Sequence, residues 1–208
     1  MIVYFIRHGE SVGNKENRFR GRHDFDLNNN GVRQAEALKN ELSGIKFDCI
    51  YSSPLMRAKK TARIISRDRT PVLSAEELIN VNLGSWENQP KENIRNEYPE
   101  LWETWLTAPE ELKFEGMETL IAVQKRAYHF MMQLVSNHPD QTIAIVTHRA
   151  VLKPLFAALL GISGRYFWKI DIDTASYSIA EFRPERGFTF TCINQNKHLE
   201  SFIREDLG

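Results

Sequence analysis

Two histidines and several arginines follow closely on predicted strands, at the positions where the side chains of an α/β sheet meet a ligand. Arg7 and His8 come after the first strand, Arg57 lies shortly after the second, and His148 and Arg149 follow the third. Arginine offers a planar set of donors that matches phosphate oxygens. A neutral histidine can attack phosphorus and carry a phosphoryl group covalently. These residue types therefore favour phosphoryl-transfer chemistry.

The pattern also suggests different roles for the two histidines. One would be the nucleophile, and the other, when protonated, would stabilise charge on the equatorial oxygens of the transition state. The sequence has neither a Walker-type glycine loop nor an acidic cluster for Mg²⁺, so we expect no metal ion and no cofactor. Taken singly, a histidine after a strand is more often structural, and a helical arginine is usually a solvated charge. Only their joint placement at one sheet edge favours catalysis.

Three short apolar runs are typical of strands that are buried on both faces. They cover residues 2–6, 47–51 and 142–147. Between and after them, apolar residues recur at helical spacing. Helices are predicted over residues 31–42, 54–66, 119–135 and 151–160, with Pro54 in the first turn of the second and Gly161 ending the fourth. This alternation indicates a layered α/β fold with a mainly parallel sheet.

Two segments depart from the alternation. Residues 177–182 and 188–193 flank a short turn and are typical of a hairpin at a sheet edge. The segment from about residue 80 to 116 holds three tryptophans and three prolines, which predicts short helices inserted above the sheet. We interpret it as a cap within a single domain that spans residues 1–208. Its apolar residues fit a cap core and a homodimer face equally well.

Composition narrows the class of protein. Hydrophobic residues make up 42% of the chain and charged residues 26%, which is ordinary globular usage. The 27 basic and 27 acidic residues balance, so no overall field attracts nucleic acid or a membrane. No apolar run approaches the ~20 residues of a membrane span, and the N-terminus lacks the basic region of a signal peptide. Cys49 and Cys192 have no metal-ligand spacing and are predicted to be reduced core thiols. We therefore expect a cytoplasmic protein.

The motifs around these residues resemble, in order and over nearly the whole chain, those of the histidine phosphatase (phosphoglycerate-mutase-like) superfamily. The match begins with Arg7-His8-Gly9 after the first strand. It continues through Asn14, GRHDFDL at 21–27, YSSPL-x-RA-x-x-TA at 51–62, LGSWE at 83–87, GMET at 116–119, Thr147-His148 and Ile193-Asn194. In length and motif style the sequence is closest to the small bacterial phosphoserine and ribazole-phosphate phosphatases of that family.

This resemblance implies a fold and a set of roles. The fold would be a three-layer α/β sandwich: a mainly parallel mixed sheet with helices on both faces, one antiparallel strand at its edge and a small helical cap insertion. His8 would be the nucleophile that forms a phosphohistidine. Arg7, Arg57 and His148 would bind the transferring phosphoryl group, Asn14 would add a donor, and Gly21 and Arg22 would face the rest of the substrate. No metal is implied.

The sequence departs from the family at two positions. In the stretch L-x-E-x-x-x-G, the family's glutamate protonates the leaving alcohol and then activates water, but here that position is Asn80. Glu77 and Glu87 are candidate substitutes, although Glu77 could equally be a surface charge. Arg149 stands where many relatives have a small residue. It would add positive charge at the pocket mouth and favour a substrate with a further anionic group, such as a carboxylate.

The function predicted from these features is a metal-independent phosphomonoesterase that acts on a small phosphorylated metabolite. Two alternatives remain open. A phosphoglycerate mutase would use the same chemistry but would have to exclude water, and the chain is short of the extra segments that would enclose the substrate. A phospholigand-binding pseudoenzyme would explain Asn80. A partner of another kind, nucleic acid or membrane, is not expected.

Overall fold

The computed structural model describes residues 1–201. Among these residues, six strands form one sheet and seven α-helices surround it. In chain order the elements are β1 (Ile2–Arg7), α1 (Val12–Lys15), α2 (Asn29–Glu41), β2 (Cys49–Ser52), α3 (Met56–Ser66), β3 (Val72–Ser74), α4 (Lys91–Glu97), α5 (Pro99–Thr107), α6 (Leu120–Asn137), β4 (Thr142–Thr147), α7 (Arg149–Leu159), β5 (Tyr177–Arg183) and β6 (Gly187–Gln195). The expected α/β class is confirmed.

The sheet has the strand order β3-β2-β4-β1-β5-β6. β1, β2, β3 and β4 pair in parallel, and β5 runs antiparallel to both β1 and β6. The carboxyl ends of β1, β2 and β4 therefore meet at one edge, as the sequence predicts. The antiparallel strand does not lie at the sheet edge as expected: the hairpin places β6 outside β5, because β6 is long enough to pair along all of it.

Alternate side chains of the central strands are buried on opposite faces of the sheet, so both faces must be covered by helices. Val3 and Phe5 of β1 belong to a core cluster that includes apolar residues of α6 and α7. Tyr4 and Ile6 belong to a second cluster, which includes residues of α2 and α3. This is the three-layer arrangement, and it explains why β1 and β4 read as continuous apolar runs.

Two local predictions are corrected by the structure. Pro54 is not in the first turn of a helix. The helix α3 begins two residues later, at Met56, and its N-cap Leu55 has an extended conformation. The helix after β4 begins at Arg149, two residues earlier than predicted, with His148 as its N-cap. Residues 148 and 149 are polar, so the apolar pattern from which the helix is predicted begins only after them. The consequence is that the N-terminal end of α7 lies beside His148.

The segment between residues 80 and 116 forms α4, α5 and two short 3₁₀ turns, Gly84–Trp86 and Pro109–Glu111. Trp86, Trp102 and Trp105 are all buried, and they belong to the same cluster as the face of the sheet that α6 and α7 cover. The tryptophans therefore form the core of the cap and do not present a dimer face. Both cysteines are free thiols. Within residues 1–201, no helix is long and apolar enough to cross a membrane.

Candidate active site

A pocket opens where β1 and β4 end, between the sheet edge and the cap. Its volume, with the open mouth included, is about 540 Å³, which is within the range of small-molecule sites. The residues that line it are Arg7, His8, Arg18, Phe19, Arg20, Gly21, Asn80, Val81, Leu83, Lys91, Trp105, His148, Arg149, Ala150 and Phe167. Five of them are cationic, so the pocket is strongly positive although the whole chain is balanced.

His8 follows β1 and is almost fully buried, at 3% exposure. Its Nδ1 lies 2.7 Å from the carbonyl oxygen of Gly9. A carbonyl only accepts, so Nδ1 carries the proton and Nε2 keeps its lone pair. Burial, followed by the charges of Arg57 and Arg7, lowers the pKa of His8 well below its ordinary value. The imidazole is therefore neutral near pH 7 and nucleophilic at Nε2.

His148, the N-cap of α7, lies beside His8, with 5.0 Å between the ring centroids. Its Nε2 is 2.8 Å from Oγ of Ser53, and its Nδ1 has no hydrogen-bond partner among residues 1–201. Burial, then Arg57, lowers the pKa of His148 well below its ordinary value. The protonated histidine expected from the sequence is thus neutral in the unliganded protein. A bound phosphate dianion would favour its protonation.

The two predicted phosphate-binding arginines differ in position. Arg7 lines the pocket and donates from Nη1 to the carbonyl of Ile172 at 2.7 Å. Arg57 is fully buried behind the pocket lining. It donates from Nη1 to the carbonyl of His23 and from Nη2 to the carbonyl of Gly21, both at 2.9 Å. Burial lowers the pKa of Arg57 to about 9, which leaves it charged at neutral pH.

The loop around Gly21 is held by a predicted substitute acid, Glu87. Gly21 has φ +48°, and a Cβ there would lie 2.4 Å from Oε1 of Glu87. The same Oε1 accepts from the amide of Arg22 at 2.8 Å and from the amide of Leu83 at 3.1 Å. The positive φ favours glycine here, and any larger side chain would have to displace the Glu87 carboxylate from the two amides. Glu87 therefore fixes a loop, and it is not among the residues that line the pocket.

Asn80, at the family's acid position, lines the pocket and is 8% exposed. Its Nδ2 donates to the carbonyl of Gly21 at 2.8 Å. Its Oδ1 is buried without a hydrogen-bond partner in the described part of the chain. A buried amide oxygen without a partner is costly, and such a group at a pocket wall is a site for a ligand donor. The structure therefore places Asn80 where it can touch a ligand.

Besides Arg57 and Glu87, three more predicted residues do not line the pocket. Glu77 is half-buried, and its carbonyl accepts from Arg126 at 2.5 Å. Arg22 turns its guanidinium to the carboxylate of Glu118 at 3.1 Å. Asn14 accepts on Oδ1 from the amide and the hydroxyl of Ser11, at 3.0 and 2.6 Å. Arg22 and Asn14 therefore brace the segments around the pocket and are not part of its lining.

Sequence reasoning missed Arg18, Arg20 and Lys91, which the structure brings to the pocket with Arg149. Arg18 is paired with Glu16 at 2.6 Å. The guanidinium of Arg149 lies 5.7 Å from the ring centroid of Trp168. The only signal in the sequence was the run Arg18-Phe19-Arg20 immediately before Gly21. Among residues 1–201, no group of three or more His, Cys, Asp or Glu side chains is placed to hold a metal ion.

Comparison with known proteins places this geometry in context. A model of the histidine phosphatase superfamily (branch 1) matches residues 3–196. Phosphoserine phosphatase 1 of Hydrogenobacter thermophilus is 33% identical over 98% of this chain and 96% of its own length. Adenosylcobalamin/alpha-ribazole phosphatase of Escherichia coli is 30% identical, covering 89% of this chain and 92% of its own. The structure of YhfR of Bacillus stearothermophilus superposes with a TM-score of 0.92 at 30% identity, covering 96% of this chain and 99% of that one.

Proposed function

Because the chain belongs to the histidine phosphatase superfamily (branch 1), we propose that it is a metal-independent phosphomonoesterase that hydrolyses a small phosphorylated metabolite through a phosphohistidine on His8. One observation carries this proposal. The Nδ1 proton of His8 is held by the Gly9 carbonyl, which leaves the Nε2 lone pair of a neutral, buried imidazole beside Arg7. This is the state that nucleophilic catalysis requires.

In the proposed first step, Nε2 of His8 attacks phosphorus and the bond to the leaving oxygen breaks. Arg7 and the N-terminal end of α7 stabilise the charge on the equatorial oxygens, since helix N-termini and guanidinium groups both favour anions. The Nδ1 of His148, if protonated by the approach of the dianion, adds a third donor. Arg57 contributes its buried charge and also holds the Gly21 loop. Water then attacks the phosphohistidine and releases phosphate.

The relatives support a phosphorylated metabolite as substrate, since one is named a phosphoserine phosphatase and another an adenosylcobalamin/alpha-ribazole phosphatase. Arg149 at the pocket wall supports a substrate that carries a second anionic group. Free thiols fit the reducing cytoplasm. The core shared between cap and sheet supports one domain with the cap at about 80–116; of the proposed range 1–208, residues 202–208 lie outside the described residues. The same pocket is proposed to work without a metal or cofactor.

The proposal is tested by phosphate release from an aryl phosphate in the presence of a chelator, with the His8→Ala variant as the control. We expect turnover by the natural chain that the chelator does not change and that His8→Ala abolishes. Loss of turnover in chelator, restored by a divalent ion, would overturn metal independence. Equal turnover by both chains would overturn the role of His8.

A second candidate, a phospholigand-binding protein without turnover, is favoured by Asn80, whose amide cannot transfer a proton as a carboxylic acid does. It predicts that an aryl phosphate is bound but not hydrolysed above the His8→Ala level. A mutase is tested in the same assay with 3-phosphoglycerate, which would yield 2-phosphoglycerate without free phosphate.

A further inference from the structure

Within residues 1–201, no carboxylic acid lines the pocket, and the family's acid position is held by Asn80. The Oε1 atom of Glu87 accepts hydrogen bonds from the amides of Arg22 and Leu83. The side chain of Asn80 is an amide, which does not transfer a proton as a carboxylic acid does. Without a carboxylic acid at that place, a leaving oxygen that can depart as an anion is favoured. Only leaving groups of low pKa do so readily, because an alkoxide is too basic to be expelled without general acid help.

The same pocket holds more positive charge than a phosphoryl group needs. Arg7 and the buried Arg57 serve the phosphoryl site. Four further cations line the pocket, and no Asp or Glu stands among the described residues that line it. Of these four, we call Arg20, Lys91 and Arg149 the rim cations. Arg20 is close enough to His8 for its charge to lower the pKa of that imidazole. Such a concentration of charge matches a ligand with more than the two charges of a phosphomonoester.

Two requirements follow, a leaving group of low pKa and a leaving group that is itself anionic. An aryl phosphate meets only the first, and an alkyl phosphate with a carboxylate meets only the second. A terminal phosphoanhydride meets both, since its leaving group is a phosphate whose pKa is near 6. We propose that this pocket cleaves the terminal phosphoanhydride bond of diphosphate-class substrates, a further activity that rests on the proposed phosphohistidine chemistry.

The step balances without a protein acid. Nε2 of His8 forms a bond to the terminal phosphorus while the bond from phosphorus to the bridging oxygen breaks. The electron pair stays on the bridging oxygen, which leaves as a phosphate anion held by the rim cations. Water then attacks the phosphohistidine, and the P–N bond breaks with its pair returning to Nε2. One proton of the water stays on the released hydrogen phosphate and the other passes to solvent. One water is consumed for each P–O–P bond.

The experiment compares kcat/KM for three probes in the presence of a chelator: inorganic pyrophosphate, 4-nitrophenyl phosphate and ethyl phosphate. The first two have leaving groups of low pKa and differ in charge, and the third has a leaving group of high pKa. We expect pyrophosphate to exceed 4-nitrophenyl phosphate by about tenfold, and ethyl phosphate by at least ~10²-fold, the lower range of what general acid help supplies.

Variants of the rim cations separate charge recognition from the chemistry. Arg149→Met and Arg20→Met should each lower the ratio of pyrophosphate to 4-nitrophenyl phosphate turnover by about tenfold, less than the ~10²–10³ of an enclosed donor because both side chains are partly exposed. Arg33→Met, at a cation outside the pocket, is the matched control and should leave the ratio unchanged.

The outcomes distinguish this inference from the proposed function. Hydrolysis of 4-nitrophenyl phosphate, with pyrophosphate no faster than ethyl phosphate, overturns the phosphoanhydride activity and leaves the phosphatase standing. A ratio that Arg149→Met and Arg20→Met both leave unchanged overturns the role of the rim cations. Turnover of none of the three probes overturns the proposed function itself.

Discussion

The two histidines of the pocket are neutral bases in a positive environment, and this sets the pH dependence. His8 must be unprotonated to attack phosphorus, and its pKa lies well below 6.5 because of burial and Arg57. As pH falls through 6.5, the folded, unliganded enzyme therefore keeps His8 neutral, and activity declines only at lower pH.

We accordingly expect kcat/KM to stay level as pH falls from 8 to below 6.5, when it is expressed per substrate dianion. That correction is needed because a phosphomonoester itself gains a proton near pH ~6. The pH profile of kcat/KM reports the free enzyme, so it is the measurement to make. An acid limb centred at or above the ordinary histidine pKa would contradict the account.

Asn80 separates substrates by their leaving groups. General acid catalysis typically contributes ~10²–10⁴-fold, chiefly for poor leaving groups such as alkyl alcohols. Asn80→Glu should therefore raise kcat/KM for alkyl phosphates by at least ~10-fold and barely change the aryl rate, measured on both substrate types. The variant also loses the hydrogen bond to the Gly21 carbonyl, so stability should fall by about 1 kcal/mol.

Asn80→Gln is the matched control, because it has the length of glutamate without its charge or proton, and it should accelerate neither substrate. Equal acceleration of alkyl and aryl substrates by Asn80→Glu would show that attack of water on the phosphohistidine is the limiting step. Burst kinetics on the aryl phosphate distinguish the two cases.

At the scale of elements, the loop around Gly21 is braced by Arg57 from α3 and by Glu87 after the Gly84–Trp86 turn. Glu87→Gln keeps an oxygen acceptor for both amides and should keep activity within about threefold. Glu87→Ala leaves two amides without an acceptor, which should cost about 1–3 kcal/mol of stability and lower alkyl and aryl turnover alike.

Steady-state kinetics on both substrate types, with thermal unfolding as a second readout, check this prediction. Glu77→Gln serves as the control, since Glu77 is not among the pocket-lining residues, and should change neither. If Glu87→Gln disabled alkyl turnover alone, Glu87 would be the missing acid and its bracing role would be secondary.

The elements that could be predicted from the sequence are those with a strong apolar pattern. The apolar runs of β1 and β4 show where each strand ends. His8 and His148 come directly after those ends, and parallel strands have their carboxyl ends at the same edge of the sheet, so the sequence predicts that the two histidines lie close together. β3 escaped prediction because it is three residues long, with two of them exposed. Arg20 and Lys91 escaped because they reach the pocket from a loop and from the cap, which have no repeating pattern.

The hydrogen bonds of Arg57 likewise could not be predicted from the sequence pattern. Its position as the second residue of α3, shortly after β2, brings it close behind the pocket lining. Arg57 donates its hydrogen bonds to the carbonyls of Gly21 and His23, and this pairing depends on the path of an irregular loop. Whether a predicted side chain meets a ligand or supports a wall is decided by such loops.

At the scale of the whole molecule, a chain with no net charge concentrates cations in one pocket. Binding of an anionic substrate should therefore depend on salt. Between about 0.01 M and 1 M salt the screening length falls from ~30 Å to ~3 Å, so we expect KM to rise several-fold while kcat changes little. A neutral osmolyte at equal osmolality is the control. A KM that does not depend on salt would contradict the electrostatic part of the account.

The most direct test of the central claim is to trap the phosphoenzyme. The chain is mixed with ³²P-labelled aryl phosphate, quenched without acid within the first turnover, and mapped by peptide analysis. The account predicts a label that is stable in base and labile in acid, located on the peptide with His8 and absent from His8→Ala. A label that persists in His8→Ala, or hydrolysis by the natural chain with no labelled intermediate at any time, would contradict it.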